Sequence, residues 1–219
     1  MTELERIEKM IVEKGGREGA VFLARNSNLP ENLILASFKN MPQDLYRKVM
    51  GQVKNKRASM DRPLFYLFYG KPGRGKTLSA VKYYVHLLAA GIRRRPLFLT
   101  AMELDEYYKG RIELRRFQLS EIELSSWFVG RGSQDQSEIV PFSQLCRWYD
   151  LILVDDATAN ESEAIDKLIL QAYTTDSYLI FTTNEESFAE ILSPRAVSRF
   201  FECLVAVNFD EFPYLRRVE

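Results

Sequence analysis

Residues 70–77 read Gly-Lys-Pro-Gly-Arg-Gly-Lys-Thr, which fits the phosphate-binding pattern Gly-x-x-x-x-Gly-Lys-Thr. An apolar run over 64–69 precedes this stretch, and apolar residues with helical spacing follow it over 78–88. Glycines allow the tight turns that point backbone N–H groups at one anion, and the N-terminus of a helix adds partial positive charge there. The stretch therefore predicts a strand, a phosphate loop and a helix that together bind a nucleoside triphosphate.

Two side chains at the end of this loop carry the expected chemistry. Lys76 is expected to reach the β- and γ-phosphates, and Thr77 is expected to place its hydroxyl on Mg²⁺. The alternative is a glycine-rich turn that contains Lys-Thr by chance. The strand and helix patterns on either side count against that alternative.

A second apolar strand ends in two carboxylates. Four aliphatic residues at 151–154 lead into Asp155 and Asp156, which begin 79 residues after Lys76 (155 − 76). Asp155 is expected to hold Mg²⁺ directly or through water, and Asp156 to orient or deprotonate an attacking water. Alone this pattern is a weak signal, but after a phosphate loop it predicts the second half of a P-loop site.

Polar and cationic residues follow the next two elements. Asn184 comes after an apolar strand at 178–182, on the ligand side of an open α/β sheet, where its amide can hydrogen-bond water and phosphate. A turn or cap is its alternative role. Arg195 and Arg199 share one face of a helix that begins near Pro194, and a surface salt bridge is their alternative role.

Composition limits the classes of protein. The chain has 219 residues, 46% of them hydrophobic, and a formal net charge of zero, so it can build a core and is not expected to bind nucleic acid through bulk charge. Two cysteines and one histidine without ligand spacing predict no zinc site. The absence of a signal peptide and of a membrane-spanning apolar run predicts a soluble, cytoplasmic protein with no membrane contact.

Other segments leave alternatives open. The stretch 107–117 interleaves aromatic and basic residues, which suits single-stranded DNA, although a charged helix with buried rings is the alternative. An amphipathic helix predicted over 2–14 either packs on its own domain or docks on a partner. Residues 27–42 are predicted to be irregular, because Pro30 and Pro42 act as breaks. Residues 118–149 are predicted to form an extended insertion.

The order of these motifs resembles that of the AAA+ ATPases over about residues 27–217. Asp155-Asp156 is similar to the Walker B ending of the initiator and helicase-loader branch, Thr183-Asn184 looks like sensor 1, and residues 195–200 look like box VII. Within that branch the chain most resembles bacterial replicative helicase loaders of the DnaC/DnaI type. The ending at 207–217 looks like the C-terminus of those loaders, which lack a helical lid domain.

The resemblance implies a fold and a domain division. It implies a three-layer α/β/α P-loop domain with a five-stranded, mostly parallel sheet in the strand order 5-1-4-3-2 and no C-terminal lid. Residues 1–42 are predicted to form a short N-terminal helical segment and linker. Residues 43–219 are predicted to form the ATPase domain, with an insertion near 105–149. The predicted nucleotide-binding residues are Gly70, Pro72, Gly73, Arg74, Gly75, Lys76, Thr77 and Leu78.

The resemblance also implies an activity. It implies an ATP- and Mg²⁺-dependent loader that acts on a hexameric replicative helicase, contacts single-stranded DNA and self-associates through the nucleotide interface. Thr77 and Asp155 would hold the metal. Asp156 and Asn184 would position water, and Arg199 of a neighbouring subunit, or Arg195, would complete the site. The alternatives are an IstB-like transposition ATPase, a P-loop kinase for a small molecule, and a binding module that does not hydrolyse ATP.

Overall fold

A computed structural model describes residues 27–62, 64–89, 95–117, 137–185 and 187–215 of the chain. The helix predicted over 2–14 lies outside these ranges, as does the end of the chain from residue 216. All the residues predicted for the nucleotide site lie inside them.

The described strands form one main sheet and one hairpin. They are β1 (Phe65–Tyr69), β2 (Pro96–Thr100), β3 (Leu114–Phe117), β4 (Ser137–Val140), β5 (Leu151–Asp155), β6 (Tyr178–Thr183) and β7 (Leu204–Asn208). The main sheet is parallel throughout, in the order β2-β5-β6-β1-β7, and β3 pairs with β4 in an antiparallel hairpin. Numbered without the hairpin strands and counted from β7, this order is 5-1-4-3-2. The predicted five-stranded sheet and its strand order are confirmed.

Helices connect the strands. They are α1 (Glu31–Lys39), α2 (Gln43–Ala58), α3 (Lys76–Ala89), α4 (Ala101–Tyr108), α5 (Leu145–Trp148), α6 (Ser162–Thr175) and α7 (Pro194–Glu202). In the part of the chain that the structure describes, no helix combines the length and apolar composition needed to cross a membrane.

The side chains of β1 show that helices cover both faces of the sheet. Neighbouring residues of a strand point to opposite faces. The ring of Tyr66 lies 5.0 Å from the ring of Tyr83 in α3, whereas the ring of Phe65 stacks at 5.6 Å on Phe200 in α7. The sheet is therefore the middle of three layers, and the continuous apolar runs in the sequence reflect burial on both faces.

Parallel pairing brings the ends of several strands to one edge. Tyr69 pairs with Thr183, and Thr100 pairs with Asp155. The carboxyl ends of parallel strands lie at one edge of the sheet. The loops that follow β1, β5 and β6 therefore all begin at that edge. This edge is where the sequence predicts the nucleotide site.

The prediction of an irregular segment at 27–42 is wrong, because α1 occupies residues 31–39. Pro30 is the residue before this helix, a position where proline does not interrupt helical hydrogen bonds. The buried ammonium of Lys82 in α3 lies 5.2 Å from the ring of Phe38 and 4.8 Å from that of Tyr46. Cation–π contacts of this kind join α1 and α2 to α3. The domain boundary at residue 42 stays a prediction.

Short elements precede β5 and α6. Thr158 and Glu161 form a capping box in a short 3₁₀ turn that leads into α6. The extended insertion predicted over 118–149 contains β4, a 3₁₀ turn and α5 from residue 137 onward.

Candidate nucleotide-binding site

The phosphate loop joins β1 to α3 through residues with left-handed backbone. Gly73 and Gly75 have φ values of 79° and 88°, a region that costs side-chain-bearing residues energy. The first α-helical hydrogen bond after the loop runs from the Ser79 N–H to the Gly75 carbonyl, at 2.9 Å. The N–H groups of the first helical turn have no acceptor within their own helix, so the loop and this turn present donors suited to phosphate.

Lys76 connects the loop to the end of β6. Its ammonium donates to the Gly70 carbonyl at 2.6 Å, to the Lys71 carbonyl at 2.9 Å and to Asn184 Oδ1 at 2.7 Å. Only 7% of the residue is exposed. Burial lowers the pKa of this ammonium below its usual value, and the nearby carboxylates of Asp156 and Asp210 oppose that effect. The result is a cation with little solvent contact at the mouth of the loop.

Thr77 and Asp155 bring two oxygen ligands together. The Thr77 hydroxyl donates to Asp155 Oδ1 at 2.9 Å, and the Thr182 hydroxyl donates to the same carboxylate oxygen. Burial raises the pKa of Asp155, although both hydroxyl donors act to lower it. Hard oxygen donors and a carboxylate are the ligands that Mg²⁺ takes, so the residues present fit this ion. Thr77 and Asp155 would hold it.

Asn184 joins the lysine to the second acid. While its Oδ1 accepts from Lys76, its Nδ2 donates to Asp156 Oδ1 at 2.9 Å. Asp156 has a left-handed backbone with φ of 58°, and its N–H donates to the Thr182 hydroxyl at 2.9 Å. A non-glycine residue holds such a conformation only when its surroundings fix it. The exposed carboxylate of Asp156 is therefore held by the Asn184 amide, and the Asp156 backbone is held by Thr182.

Thr182 is a site residue that the sequence reasoning missed. It donates to Asp155 and accepts from the Asp156 N–H, and it is 2% exposed. Its neighbour Thr183 donates to the Ala157 carbonyl at 2.6 Å. A signal was available, because two hydroxyl residues end a strand that is otherwise apolar over 178–181.

Other residues predicted for the loop have different surroundings. The Arg74 guanidinium donates to the Phe212 carbonyl and lies 5.6 Å from the ring of Tyr214. Leu78 packs against the core, and Pro72 is exposed. The Arg74 side chain thus contacts the segment after β7.

The two predicted arginines lie on α7. Both are exposed. Arg199 lies 4.6 Å from the ring of Tyr173, and it donates to the Tyr173 hydroxyl and to Glu202, each at 3.2 Å. These partners belong to α6 and α7. The described contacts thus bring together Lys76, Thr77, Asp155, Asp156 and Asn184, and they do not bring Arg199 to that group.

Two aromatic residues of the stretch predicted to stack DNA bases make contacts within the fold. Tyr107 is 5% exposed, and its hydroxyl donates to the Val140 carbonyl. The ring of Tyr108 lies 5.0 Å from that of Phe142, and its hydroxyl donates to Glu163. Tyr107 is therefore unavailable for stacking, because the neighbouring hairpin covers it.

Comparisons with known proteins identify solved structures that resemble this fold. The sequence matches no protein-family model and no curated protein. A crystal structure of DnaI matches 86% of this chain and 94% of that chain, with 14% identity and a TM-score of 0.52. The match to the DnaC helicase loader covers 76% of this chain and 93% of that chain, with 18% identity and a TM-score of 0.49. The match to AMPPCP-bound DnaA from Aquifex aeolicus covers 76% of this chain and 48% of that chain, with 17% identity and a TM-score of 0.47.

The likeness to DnaI agrees with the fold that the motifs imply. The parallel order 5-1-4-3-2, with a phosphate loop after the first strand and two acids after the third, is a P-loop α/β fold, and DnaI shares that fold. At this level of identity the likeness concerns the fold.

Asp155→Asn tests the charge at the metal position. Because burial raises the Asp155 pKa in the folded chain, the stability of the fold falls as pH rises through the interval between the unfolded and folded pKa values, and the loss persists at neutral pH. Asparagine keeps an oxygen acceptor for Thr77 and Thr182 without the charge. We therefore expect the nucleotide-free variant to be more stable than the wild type at pH 7. The difference should shrink below the usual Asp pKa of about 3.9.

Urea denaturation at a series of pH values measures this difference. Asp61→Asn, a change at an exposed aspartate outside the site, is the matched control and should show no such gain. A variant at Asp155 that is less stable than the wild type at pH 7 would contradict the prediction.

Proposed function

We propose that this chain binds ATP with Mg²⁺ and hydrolyses it. One observation carries the proposal. At the edge of a P-loop sheet, hydrogen bonds link Lys76 to Asn184, Asn184 to Asp156, and Thr77 to Asp155. A cation, a carboxylate–hydroxyl pair and a second directed carboxylate are the groups that phosphoryl transfer to water requires.

Each group has a role in this proposal. The Lys76 ammonium would exchange carbonyl acceptors for phosphate oxygens, which are charged and therefore stronger acceptors. Mg²⁺, when bound by Thr77 and Asp155, supplies neutralisation of phosphate charge. Asp156 would accept a proton from the attacking water, and the Asn184 amide would orient that water.

Lys76→Ala tests nucleotide binding. Loss of a hydrogen-bonded charge worth about 3 kcal/mol should weaken ATP binding by roughly a hundredfold. Calorimetric titration with ATP and Mg²⁺ measures the affinity. Lys71→Ala is the matched control, because Lys71 is an exposed lysine of the same loop whose described loop contacts use its backbone. Wild-type affinity in the Lys76 variant would refute the assignment.

We further propose that the ATPase loads, or remodels, a hexameric replicative DNA helicase, which implies a cytoplasmic location. The motif order supports this role, and so does the fold shared with DnaI. A transposition ATPase would share the core but act with a transposase. A small-molecule kinase would transfer phosphate to an acceptor other than water, and a pure binding module would not use Asp156.

Single-stranded DNA is the proposed second ligand. Lys109 and Arg111 are exposed, and their ion pairs are with Asp105 and Glu106 on the same surface. Exposed ion pairs contribute little stability, so these cations can exchange a carboxylate for a phosphate. The proposed contact therefore rests on phosphate binding rather than on stacking by Tyr107.

Turnover in the presence of helicase and DNA tests this role. ATP hydrolysis should rise when a replicative helicase hexamer and a single-stranded oligonucleotide are added, and the DNA-dependent part should fall with salt. Lys109→Ala/Arg111→Ala should lose mainly the DNA-dependent part. Lys48→Ala/Lys54→Ala, which removes two exposed lysines of α2, is the matched control. Stimulation by a transposase and not by the helicase would favour the IstB-like alternative.

We propose that Arg199 acts on the nucleotide of a neighbouring subunit. Its ring partner Tyr173 also lies 4.5 Å from the guanidinium of Arg62, three residues before β1 begins. Arg199 is therefore near the amino ends of the strands, whereas the phosphate loop follows the carboxyl end of β1. Strands rise about 3.3 Å per residue, so a strand of this length separates the two ends by roughly 15 Å.

Mixing two inactive variants tests this role. Arg199→Ala should keep ATP affinity and lose stimulated turnover, by a factor of ~10³ or more for an arginine supplied in trans. A mixture of Arg199→Ala and Lys76→Ala subunits should regain part of the turnover, because each variant supplies the group that the other lacks.

Arg195→Ala, one helical turn earlier, distinguishes the two arginines. If Arg195→Ala alone loses stimulated turnover, the role belongs to Arg195. A stability loss under about 1 kcal/mol with no recovery in the mixture would instead indicate a surface ion pair.

A further inference from the structure

The segment that follows β7 runs along the phosphate loop. It consists of a 3₁₀ turn at Phe209–Glu211 and of residues 212–215, which form no helix or strand. The Lys71 N–H donates to Asp210 Oδ1 at 2.8 Å, and the Leu215 N–H donates to the Gly73 carbonyl at 3.0 Å. The loop is therefore hydrogen-bonded at two points to a segment about 140 residues later in the chain.

The segment approaches the loop so closely that side chains there would collide. A Cβ atom at Gly73 would lie 2.6 Å from the ring of Tyr214. A Cβ at Gly70 would lie 3.1 Å from both the backbone nitrogen and Oδ1 of Asp210. The glycines of this loop thus accommodate the C-terminal segment as well as the turns of the loop.

Core contacts and a side-chain hydrogen bond hold the backbone around Asp210. The buried ring of Phe209 lies 5.7 Å from that of Phe68 in β1 and 5.3 Å from that of Phe212. The Asn208 side chain accepts from the Asp210 N–H at 2.9 Å. Because the core holds Phe209 and Phe212, the backbone that carries Asp210 is fixed beside the first turn of the loop.

The charge of Asp210 opposes phosphate binding. This carboxylate is near enough to Lys76 to raise the pKa of the ammonium, and the same proximity would repel a bound triphosphate. The described contacts give it one favourable role in the loop, which is to hold the Lys71 N–H. That hydrogen bond fixes the peptide that leads into the turn at Pro72 and Gly73.

We propose that Asp210 is a positioning residue that holds the phosphate loop in its nucleotide-binding conformation. The inference rests on the proposed ATP binding, and it adds to that site a residue that is not among the predicted site residues. The acceptor oxygen of Asp210 favours ATP binding because it holds the loop, and the negative charge of Asp210 opposes ATP binding. The two properties can be separated, because asparagine keeps the oxygen and alanine keeps neither.

Three variants of the full chain test the inference by calorimetric titration with ATP and Mg²⁺. Asp210→Ala should bind ATP roughly tenfold more weakly, as expected for the loss of a hydrogen bond to a charged group. Asp210→Asn should bind at least as tightly as the wild type. Glu211→Ala is the matched control, because this exposed neighbour contacts Gln52, at 3.0 Å, and should leave the affinity unchanged.

The unfolding temperature without nucleotide gives the second readout. A positioning role predicts that ATP affinity is at or above the wild-type value in Asp210→Asn and below it in Asp210→Ala. The unfolding temperatures of the two variants should not follow the same order. Equal weakening in both Asp210 variants would overturn the inference, because the charge would then matter rather than the acceptor. Unchanged or tighter binding by Asp210→Ala would also overturn it. Failure of the wild type itself to bind ATP would refute the proposed function, and the inference with it.

Discussion

The hydrogen bonds of the Lys76 ammonium are the contact on which the rest of the site depends. They join two carbonyls of the phosphate loop to Asn184 at the end of β6. A buried charge without partners is strongly destabilising, so these acceptors have to remain convergent. The loop and the neighbouring strand therefore behave as one unit, and Asn184 extends that unit to Asp156.

The same edge of the sheet concentrates negative charge. Asp155, Asp156 and Asp210 all interact electrostatically with Lys76, and the Asp155 pKa is raised by burial. Three carboxylates around one ammonium are not the arrangement that stability alone would favour. Perturbed groups of this kind cluster at functional sites, where a ligand or ion changes the balance. The hydroxyls of Thr77 and Thr182 hold Asp155 in this environment.

Sequence reasoning succeeded where the signal is local and failed where two local signals conflict. The apolar strands and the loop of residues 70–77 were readable, because burial on both faces leaves continuous apolar runs and tight turns require glycine. The sequence does not predict α1, because proline usually indicates a break in a helix, whereas Pro30 only precedes this helix. The aromatic and basic residues from 107 onward fitted two environments, and Tyr107 proved to be core.

Which chemical groups follow which strands can be read from local patterns, because each buried strand leaves its own apolar run in the sequence. The spatial relations between these groups depend on the tertiary structure. Thr182 supports Asp155 from 27 residues away, and Asp210 contacts Lys71 from 139 residues away. Arg199 lies near the amino end of β1, because the ring of Tyr173 contacts both Arg199 and Arg62. Such relations depend on which strands are neighbours and on where helices pack, and hydrophobic periodicity along one segment contains no information on either.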